Sequence, residues 1–166
     1  MAEAREAQAA DLFVIGGRGN GVDVASVGLR TGPWKSWTSE GGWEYALSGE
    51  VQIAGWRGRE SEAAVRHIVD TSFTPVLSVR GPTGDGWRPY LEVGFGAHLL
   101  SHTQINDDRI FSTAFQFGEF LGTGVQLGER NQYAVGVRVQ HISNGGIKKP
   151  NNGITFGEVL LQYHYQ

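Results

Sequence analysis

A histidine and a serine lie two residues apart at His141 and Ser143, directly before a glycine-rich stretch. If this segment is a strand, the alternation of side chains places both on the same face. An imidazole beside a serine can accept the hydroxyl proton and so produce a nucleophile for attack on a carbonyl carbon. Asn144, Gly145 and Gly146 follow, and an amide side chain with unobstructed backbone N–H groups can stabilise the resulting oxyanion. The alternative is an ordinary hairpin loop that the serine caps.

Length, charge and composition exclude several classes of protein in which this histidine and serine could act. The chain has 166 residues, a net charge of −3 and no cysteine. This length predicts one domain, and the missing cysteine excludes disulfide scaffolds, thiol nucleophiles and cysteine-based zinc sites. The charge gives no sign of a nucleic-acid-binding surface, and no apolar run approaches the roughly 18 residues of a membrane helix. Glycine makes up about 15% of the chain, against a usual value of about 7%. Such a high glycine content, without cysteine or long apolar runs, is typical of a β-barrel.

Short β-prone runs alternate with Gly, Asn and Asp clusters from Asp11 onward, which predicts strands joined by turns. No segment shows a helical period over a dozen residues. Several runs exceed the length of an average strand, about 5–6 residues, and reach the roughly 9–11 residues of a membrane strand. The eight predicted strands cover residues 11–17, 21–31, 43–57, 64–80, 88–100, 109–128, 132–143 and 153–165.

Alternation within these strands indicates a membrane barrel. Val135, Val137 and Val139 share one face of the predicted seventh strand, and Arg138 lies on the other. Apolar residues outside and polar residues inside are the pattern of a transmembrane barrel. We therefore predict an all-β fold, an eight-stranded antiparallel up-and-down transmembrane β-barrel in the cell outer membrane. Periodicity does not tell the two faces apart, so a soluble lipocalin-like barrel with inward apolar residues is the alternative.

The N-terminus and the strand count fix the expected orientation. Residues 1–10 lack the apolar segment of a working signal peptide, although residues 7–9 (AQA) resemble a cleavage site. We expect a disordered N-terminus or a signal-peptide remnant there, and the barrel over residues 11–166. With an even strand count and both termini in the periplasm, His141 and Ser143 would face lipid at the extracellular end. Polar groups on that surface are costly unless they have a function.

The pattern around the histidine and serine extends well beyond the pair. H-x-S-N-x-G at residues 141–146 is followed by K-x-P-N-x-G at residues 148–153. Together they resemble the signature of the outer-membrane lipid A 3-O-deacylases, the PagL family. The resemblance is loose before residue 60 and most specific over residues 135–153. Other segments that resemble the family are WKSW at 34–37, RPYLEVGFG at 88–96, FGE at 117–119, LGTG at 121–124 and VGVR at 135–138.

The resemblance implies a serine esterase that removes the acyl chain at the 3 position of lipid A and needs no cofactor or metal. The family's histidine and serine fall on His141 and Ser143. Its oxyanion hole falls on the Asn144 side chain and the Gly145 N–H group, and a further functional asparagine falls on Asn151. Lipid A or lipopolysaccharide in the outer leaflet would be the substrate, outer-membrane lipid would surround the barrel, and nucleic acid is not expected. The oligomeric state stays open, with a homodimer as one alternative.

One position departs from the family pattern. The family's acid is a glutamate two residues after the glycine of N-x-G, and Thr155 occupies that position here. The nearest carboxylate, Glu158, would point into the lumen of a regular strand, where Arg138 or His164 could be its partner. A β-bulge could re-aim Glu158 and make it the catalytic acid. Otherwise Thr155 could orient His141, or a dyad could suffice, because losing the acid weakens a serine hydrolase without abolishing catalysis.

Other residues carry weaker functional interpretations. His98 and His102 could bind a metal near Asp107 and Asp108, but their spacing suits a helix better, and polar loop residues are the simpler explanation. Glu92 is expected in the polar lumen. The tryptophans flank predicted strand ends and are interpreted as interface anchors: Trp34, Trp37, Trp43, Trp56 and Trp87. The basic residues of the outer loops could meet lipid A phosphates or could be solvated: Arg57, Arg59, Arg66, Lys148 and Lys149.

Three functions follow from the sequence. The first is the lipid A deacylase, with Ser143 as nucleophile and His141 as base. The second is a non-catalytic outer-membrane barrel of similar architecture, structural or adhesive, whose site is degraded at Thr155. The third is a soluble barrel that binds a small apolar ligand. Folding only in detergent or lipid would separate the third from the others, and covalent labelling of Ser143 would separate the first from the second.

Overall fold

The computed structural model describes residues 10–59, 67–84 and 86–165, and within these ranges the chain is built from strands. None of the described segments is a helix long and apolar enough to cross a membrane. The expectation for residues 1–10 falls almost wholly outside the described residues and stays a prediction. The strands are β1 (Asp11–Gly19), β2 (Val22–Arg30), β3 (Lys35–Thr38), β4 (Glu44–Gly58), β5 (His67–Arg80), β6 (Trp87–Leu100), β7 (Gln104–Asn106), β8 (Arg109–Ile110), β9 (Phe115–Leu127), β10 (Tyr133–Ser143) and β11 (Ile154–Tyr163).

Eight of these strands close into an antiparallel barrel. Each long strand pairs with the next along the chain, β2 pairs with β4, and β11 pairs with β1. This closure confirms the predicted eight-stranded, up-and-down fold. The structure adds the short strand β3 and the β7–β8 hairpin, which were not predicted. The predicted sixth strand began too early at residue 109, because Arg109 and Ile110 pair with β7 and Ser112 adopts a positive φ of 61° that interrupts the extended chain.

Apolar side chains cover the outside of the barrel. On β10, Val135, Val137 and Val139 are 41%, 58% and 59% exposed, whereas Arg138 between them is buried. The same alternation runs along every long strand. A soluble barrel would show the opposite arrangement, so that alternative is wrong, and the wall is that of a membrane barrel.

Charged residues fill the middle of the lumen. Arg138 donates hydrogen bonds to Glu92 at 2.8 Å and to Glu50 at 3.1 Å, and Arg30 donates to the same two carboxylates. The four side chains come from β2, β4, β6 and β10 and are all buried. The predicted lumenal position of Glu92 is confirmed. Because each charge meets opposite charges, the network ties four strands together across the lumen.

An apolar cluster occupies the lumen next to the end of β10. Trp56 lies in it and packs edge-on against Phe111 and Phe156, with ring centroids 5.9 and 5.2 Å away. The interpretation of Trp56 as an interface anchor was wrong, because the alternation of β4 turns this residue inward. Phe111 enters from the loop between β8 and β9, so the loop plugs this end of the barrel. The cluster contains Val22, Val24, Ala54, Trp56, Ile68, Leu100, Ile105, Phe111, Ile142, Ile154 and Phe156.

Aromatic residues ring the opposite end, where both termini of the barrel lie. Leu12 at the start of β1 pairs with Tyr163 at the end of β11, which places the two termini side by side. Tyr163 also packs against Tyr133 and Tyr165, with ring centroids 5.5 and 4.9 Å away. Exposed aromatic residues at this level are typical of a membrane–water interface. The other four predicted anchors are exposed: Trp34, Trp37, Trp43 and Trp87.

Candidate active site

The candidate site lies on the outer wall, at the end of the barrel away from the termini. His141 and Ser143 are the last two outward-facing residues of β10, and both are half-buried. Ile142 between them is buried in the apolar cluster of the lumen. The Cα atoms of His141 and Ser143 lie about 7 Å apart, as expected for residues two positions apart on a strand. Because Ile142 packs into the apolar cluster, the strand segment that carries the two polar side chains is supported from inside the barrel.

Thr155 holds the imidazole of His141 from the neighbouring strand. The two residues are a cross-strand pair between β10 and β11, and the His141 Nδ1 atom lies 2.8 Å from the Thr155 Oγ1 atom. When Nδ1 donates its hydrogen to this oxygen, the Nε2 atom carries the free lone pair that a general base needs. The Thr155 backbone N–H in turn donates to the Asn20 side chain at 2.9 Å. Thr155 therefore orients the ring but brings no negative charge.

Glu158 lies on the opposite side of the wall. The β10–β11 register is regular from Tyr133 to Ile142, so no bulge turns Glu158 outward. Its carboxylate is buried in the lumen and has no hydrogen-bond partner among the described residues. The structure contradicts the interpretation of Glu158 as the catalytic acid beside His141. Arg138 is its cross-strand partner but forms no hydrogen bond with it, because the two terminal nitrogens of the guanidinium donate to Glu50 and Glu92 instead.

The loop after Ser143 is organised around a buried asparagine. The Asn144 side-chain amide donates to the carbonyl oxygens of Phe111 and Lys148, both at 2.8 Å, and its own oxygen accepts the Gly146 N–H at 2.9 Å. Asn151 accepts the Asn144 backbone N–H at 3.1 Å. The prediction that the Asn144 side chain faces an oxyanion does not match this arrangement, because both of its N–H groups are already used. Asn144 and Asn151 shape the loop instead.

Gly145 presents a backbone N–H that could serve an oxyanion. No hydrogen bond from this group occurs within the described part of the chain. The residue is exposed and has a positive φ of 63°, which glycine adopts without strain. A Cβ atom here would lie 3.3 Å from the Phe117 ring, whose residue pairs with Ser143 across the strands. Gly145 therefore lies against the outer wall close to the serine.

From the sequence alone, no role in the site was assigned to two residues of β9. Phe117 is the cross-strand partner of Ser143, and Glu119 is the cross-strand partner of His141. Phe117 stacks on Phe95 at 5.8 Å and meets Phe115 edge-on at 5.1 Å, which forms an aromatic patch beside the serine. Outward alternation along the predicted sixth strand was the signal that could have found both neighbours. Alternation alone, without the pairing register, does not show that Phe117 and Glu119 lie beside Ser143 and His141.

The two candidate metal-binding histidines lie in different surroundings. His98 is buried in the lumen, with its Nδ1 atom 2.8 Å from the Asp70 carboxylate. His102 follows the end of β6, is exposed, and contacts Ser101 at 3.1 Å. Across the described ranges, no group of three or more potential ligands is close enough to hold a metal ion.

The predicted basic residues do not all lie beside the site, because Arg57 and Arg59 lie at the end of β4, which is not a neighbour of β10. The Arg59 Nε atom lies 3.4 Å from the Asp23 Oδ1 atom, which makes an ion pair. Arg66 lies outside the described residues, so its predicted role stays a prediction. The remaining basic residues of the prediction are exposed: Arg57, Lys148 and Lys149.

Comparison with known proteins identifies the family. The lipid A 3-O-deacylase (PagL) family matches residues 23–164. The chain belongs to this family. It is 43% identical to the lipid A deacylase PagL of Bordetella bronchiseptica over 100 residues, which covers 60% of this chain and 51% of that protein. It is 35% identical to the lipid A deacylase PagL of Pseudomonas aeruginosa over 153 residues, which covers 89% of this chain and 82% of that protein.

The fold has a solved counterpart in the same family. The crystal structure of the outer membrane enzyme PagL superimposes with a TM-score of 0.80 at 26% identity, and the match covers 94% of this chain and all of that one. The membrane-type wall and this likeness together make the chain an outer-membrane β-barrel.

Proposed function

We propose that this protein hydrolyses the ester that joins an acyl chain to the 3 position of lipid A, with Ser143 as nucleophile. The observation that carries the proposal is the position of His141 and Ser143 on the lipid-facing wall, where an ester within a lipid can reach them. Both relatives above are lipid A deacylases by name, which supports the same substrate.

The proposed reaction begins with a proton transfer. His141 Nε2 accepts the Ser143 hydroxyl proton while Oγ bonds to the ester carbonyl carbon, and the carbonyl oxygen becomes an oxyanion. The Gly145 N–H donates a hydrogen bond to that oxyanion. The bond to the sugar oxygen then breaks, and this oxygen takes the proton from His141. Water, deprotonated by His141, next attacks the acyl-serine and releases the fatty acid while Ser143 recovers its proton.

The geometry also favours a particular placement in the membrane. The site lies at the end of the barrel opposite both termini, so periplasmic termini place it in the outer leaflet, where lipid A resides.

The surface around Ser143 suits both parts of a lipid substrate. The aromatic patch of Phe95, Phe115 and Phe117 offers an apolar surface on which the scissile acyl chain can lie beside Ser143. The exposed amines of Lys148 and Lys149 are suited to anionic groups of the lipid A headgroup.

A barrel without enzymatic activity is the competing function, and Thr155 favours it because the family's carboxylate is missing there. The test is purified protein folded in detergent and mixed with lipid A, with the released 3-hydroxy fatty acid quantified. We expect release by the parent protein and none by Ser143→Ala or His141→Asn. Folded protein that releases no fatty acid would support the non-catalytic barrel. Release that persists in Ser143→Ala would refute the assigned nucleophile.

A further inference from the structure

A carboxylate faces His141 from the strand on its other side. Glu119 on β9 is the direct cross-strand partner of His141, which is in turn the partner of Thr155 on β11. The three side chains form one row across the outer wall, with the imidazole in the middle. Directly opposed residues of an antiparallel pair have Cβ atoms about 4.5–5.5 Å apart. An acidic side chain is therefore within reach of the imidazole, although the family's acid position holds a threonine.

The surroundings of Glu119 are those of a functional residue on a lipid-facing surface. Its outward neighbours along β9 are Phe117 and Leu121, and its partner on β6 is Phe95, which is 60% exposed. Glu119 itself is exposed and makes no ion pair with any residue that the structure describes. Ionisable side chains among apolar, lipid-facing residues are rare and mark functional sites. Within the described ranges, no hydrogen bond of the Glu119 side chain gives it a structural role.

We propose that Glu119 is a positioning residue that supplies the negative charge for His141. The inference rests on the proposed function, because it concerns the same histidine. Thr155 fixes the orientation of the imidazole through Nδ1, and Glu119 stabilises the imidazolium that forms when Ser143 loses its proton. The two tasks that one triad carboxylate performs in a serine hydrolase are thus divided between neighbours on either side of β10. Glu119 does not contact the substrate and takes no proton in this scheme.

The test compares Glu119→Gln with the parent protein and with Glu129→Gln, which removes a carboxylate in the exposed turn between β9 and β10. A third variant adds Thr155→Glu to Glu119→Gln and so restores the family's acid. Two assays are run on detergent-folded protein. Lipid A hydrolysis gives kcat and KM, and a fluorophosphonate gives the rate of covalent labelling of Ser143. The labelling rate reports activation of the serine whichever ester is the natural substrate. Heat-modifiable migration on gels checks that each barrel is folded.

We expect Glu119→Gln to lower kcat and the labelling rate by on the order of 10²-fold, because the imidazolium loses its stabilising charge, while KM stays close to the parent value. Glu129→Gln should match the parent, and Thr155→Glu should recover most of the lost rate. A purely structural role for Glu119 would not be rescued by Thr155→Glu. Folded Glu119→Gln with parental rates would overturn the inference. Labelling that depends on Glu119 in a protein that spares lipid A would instead uphold the inference and overturn the proposed substrate.

Discussion

The Nδ1 atom of His141 lies 2.8 Å from the Oγ1 atom of Thr155, across the β10–β11 pair. This hydrogen bond stands where the family pattern leads one to expect a bond to a carboxylate. A hydroxyl can hold the ring in place and select its tautomer, but it cannot neutralise an imidazolium. The hydroxyl can therefore orient the imidazole, and any negative charge beside the ring has to come from another residue.

Removal of the Thr155 hydroxyl should slow the enzyme moderately. A hydrogen bond of this kind contributes about 0.5–1.5 kcal/mol, so Thr155→Val is expected to lower kcat by up to about tenfold. Thr155→Ser keeps the hydroxyl and should stay close to the parent rate. Thr155→Glu should raise kcat, because it combines orientation with charge. Steady-state hydrolysis of lipid A in detergent measures all three, and an unchanged rate in Thr155→Val would show that the bond does not orient the base.

Substitution of Asn144 should affect stability as well as activity. Its side-chain amide binds the carbonyl oxygens of Phe111 and Lys148, and the residue is fully buried. Asn144→Ala leaves these groups unsatisfied and should cost about 1–3 kcal/mol of folding free energy. The midpoint of thermal unfolding in detergent should therefore fall together with activity. Parental stability combined with a large loss of kcat would instead identify the side chain as a direct oxyanion donor.

Glu158→Gln separates a lumenal carboxylate from a catalytic one. Glu158 points into the lumen and away from His141, so its charge should not matter for the reaction. We expect kcat for lipid A within about twofold of the parent, since alternate residues of a strand point to opposite faces and the carboxylate is separated from His141 by the wall. A loss comparable to that of His141→Asn would contradict the geometry and return Glu158 to the role of acid.

Glu92→Ala should destabilise the barrel strongly. Its carboxylate accepts hydrogen bonds from Arg30 and Arg138, both at 2.8 Å, and all three side chains are buried. Breaking a buried ion pair by removing one partner costs about 3–5 kcal/mol. Urea unfolding in detergent or lipid vesicles should show a loss of that size. Serine labelling of the fraction that stays folded should be unaffected, because the network lies on the other side of the wall from Ser143.

Sequence alternation predicted most of the wall and the two central site residues. Val135, Val137 and Val139 were enough to define the outer face of β10, and His141 and Ser143 follow from the same period of two. Trp56 shows the limit, because position near a strand end does not reveal that the residue turns inward to a plug. The β7–β8 hairpin was hidden because its strands are too short to show any period.

The partners of the site depend on register, which a single strand does not reveal. Glu119 meets His141 only because β9 pairs with β10 in one particular alignment. A hydrogen bond from the buried Asn144 side chain is accepted by the Phe111 carbonyl, which belongs to a loop 33 residues earlier in the chain. Local sequence could name these residues, but only the folded barrel brings them together.

The most direct test of the account is mass spectrometry of lipid A from Gram-negative cells that express this chain behind a functional signal peptide. Cells expressing Ser143→Ala at equal outer-membrane levels are the control. The account predicts that lipid A loses one 3-position hydroxyacyl chain in cells with the parent protein and stays intact in the control. Intact lipid A in both, with the parent barrel folded in the outer membrane, would contradict it.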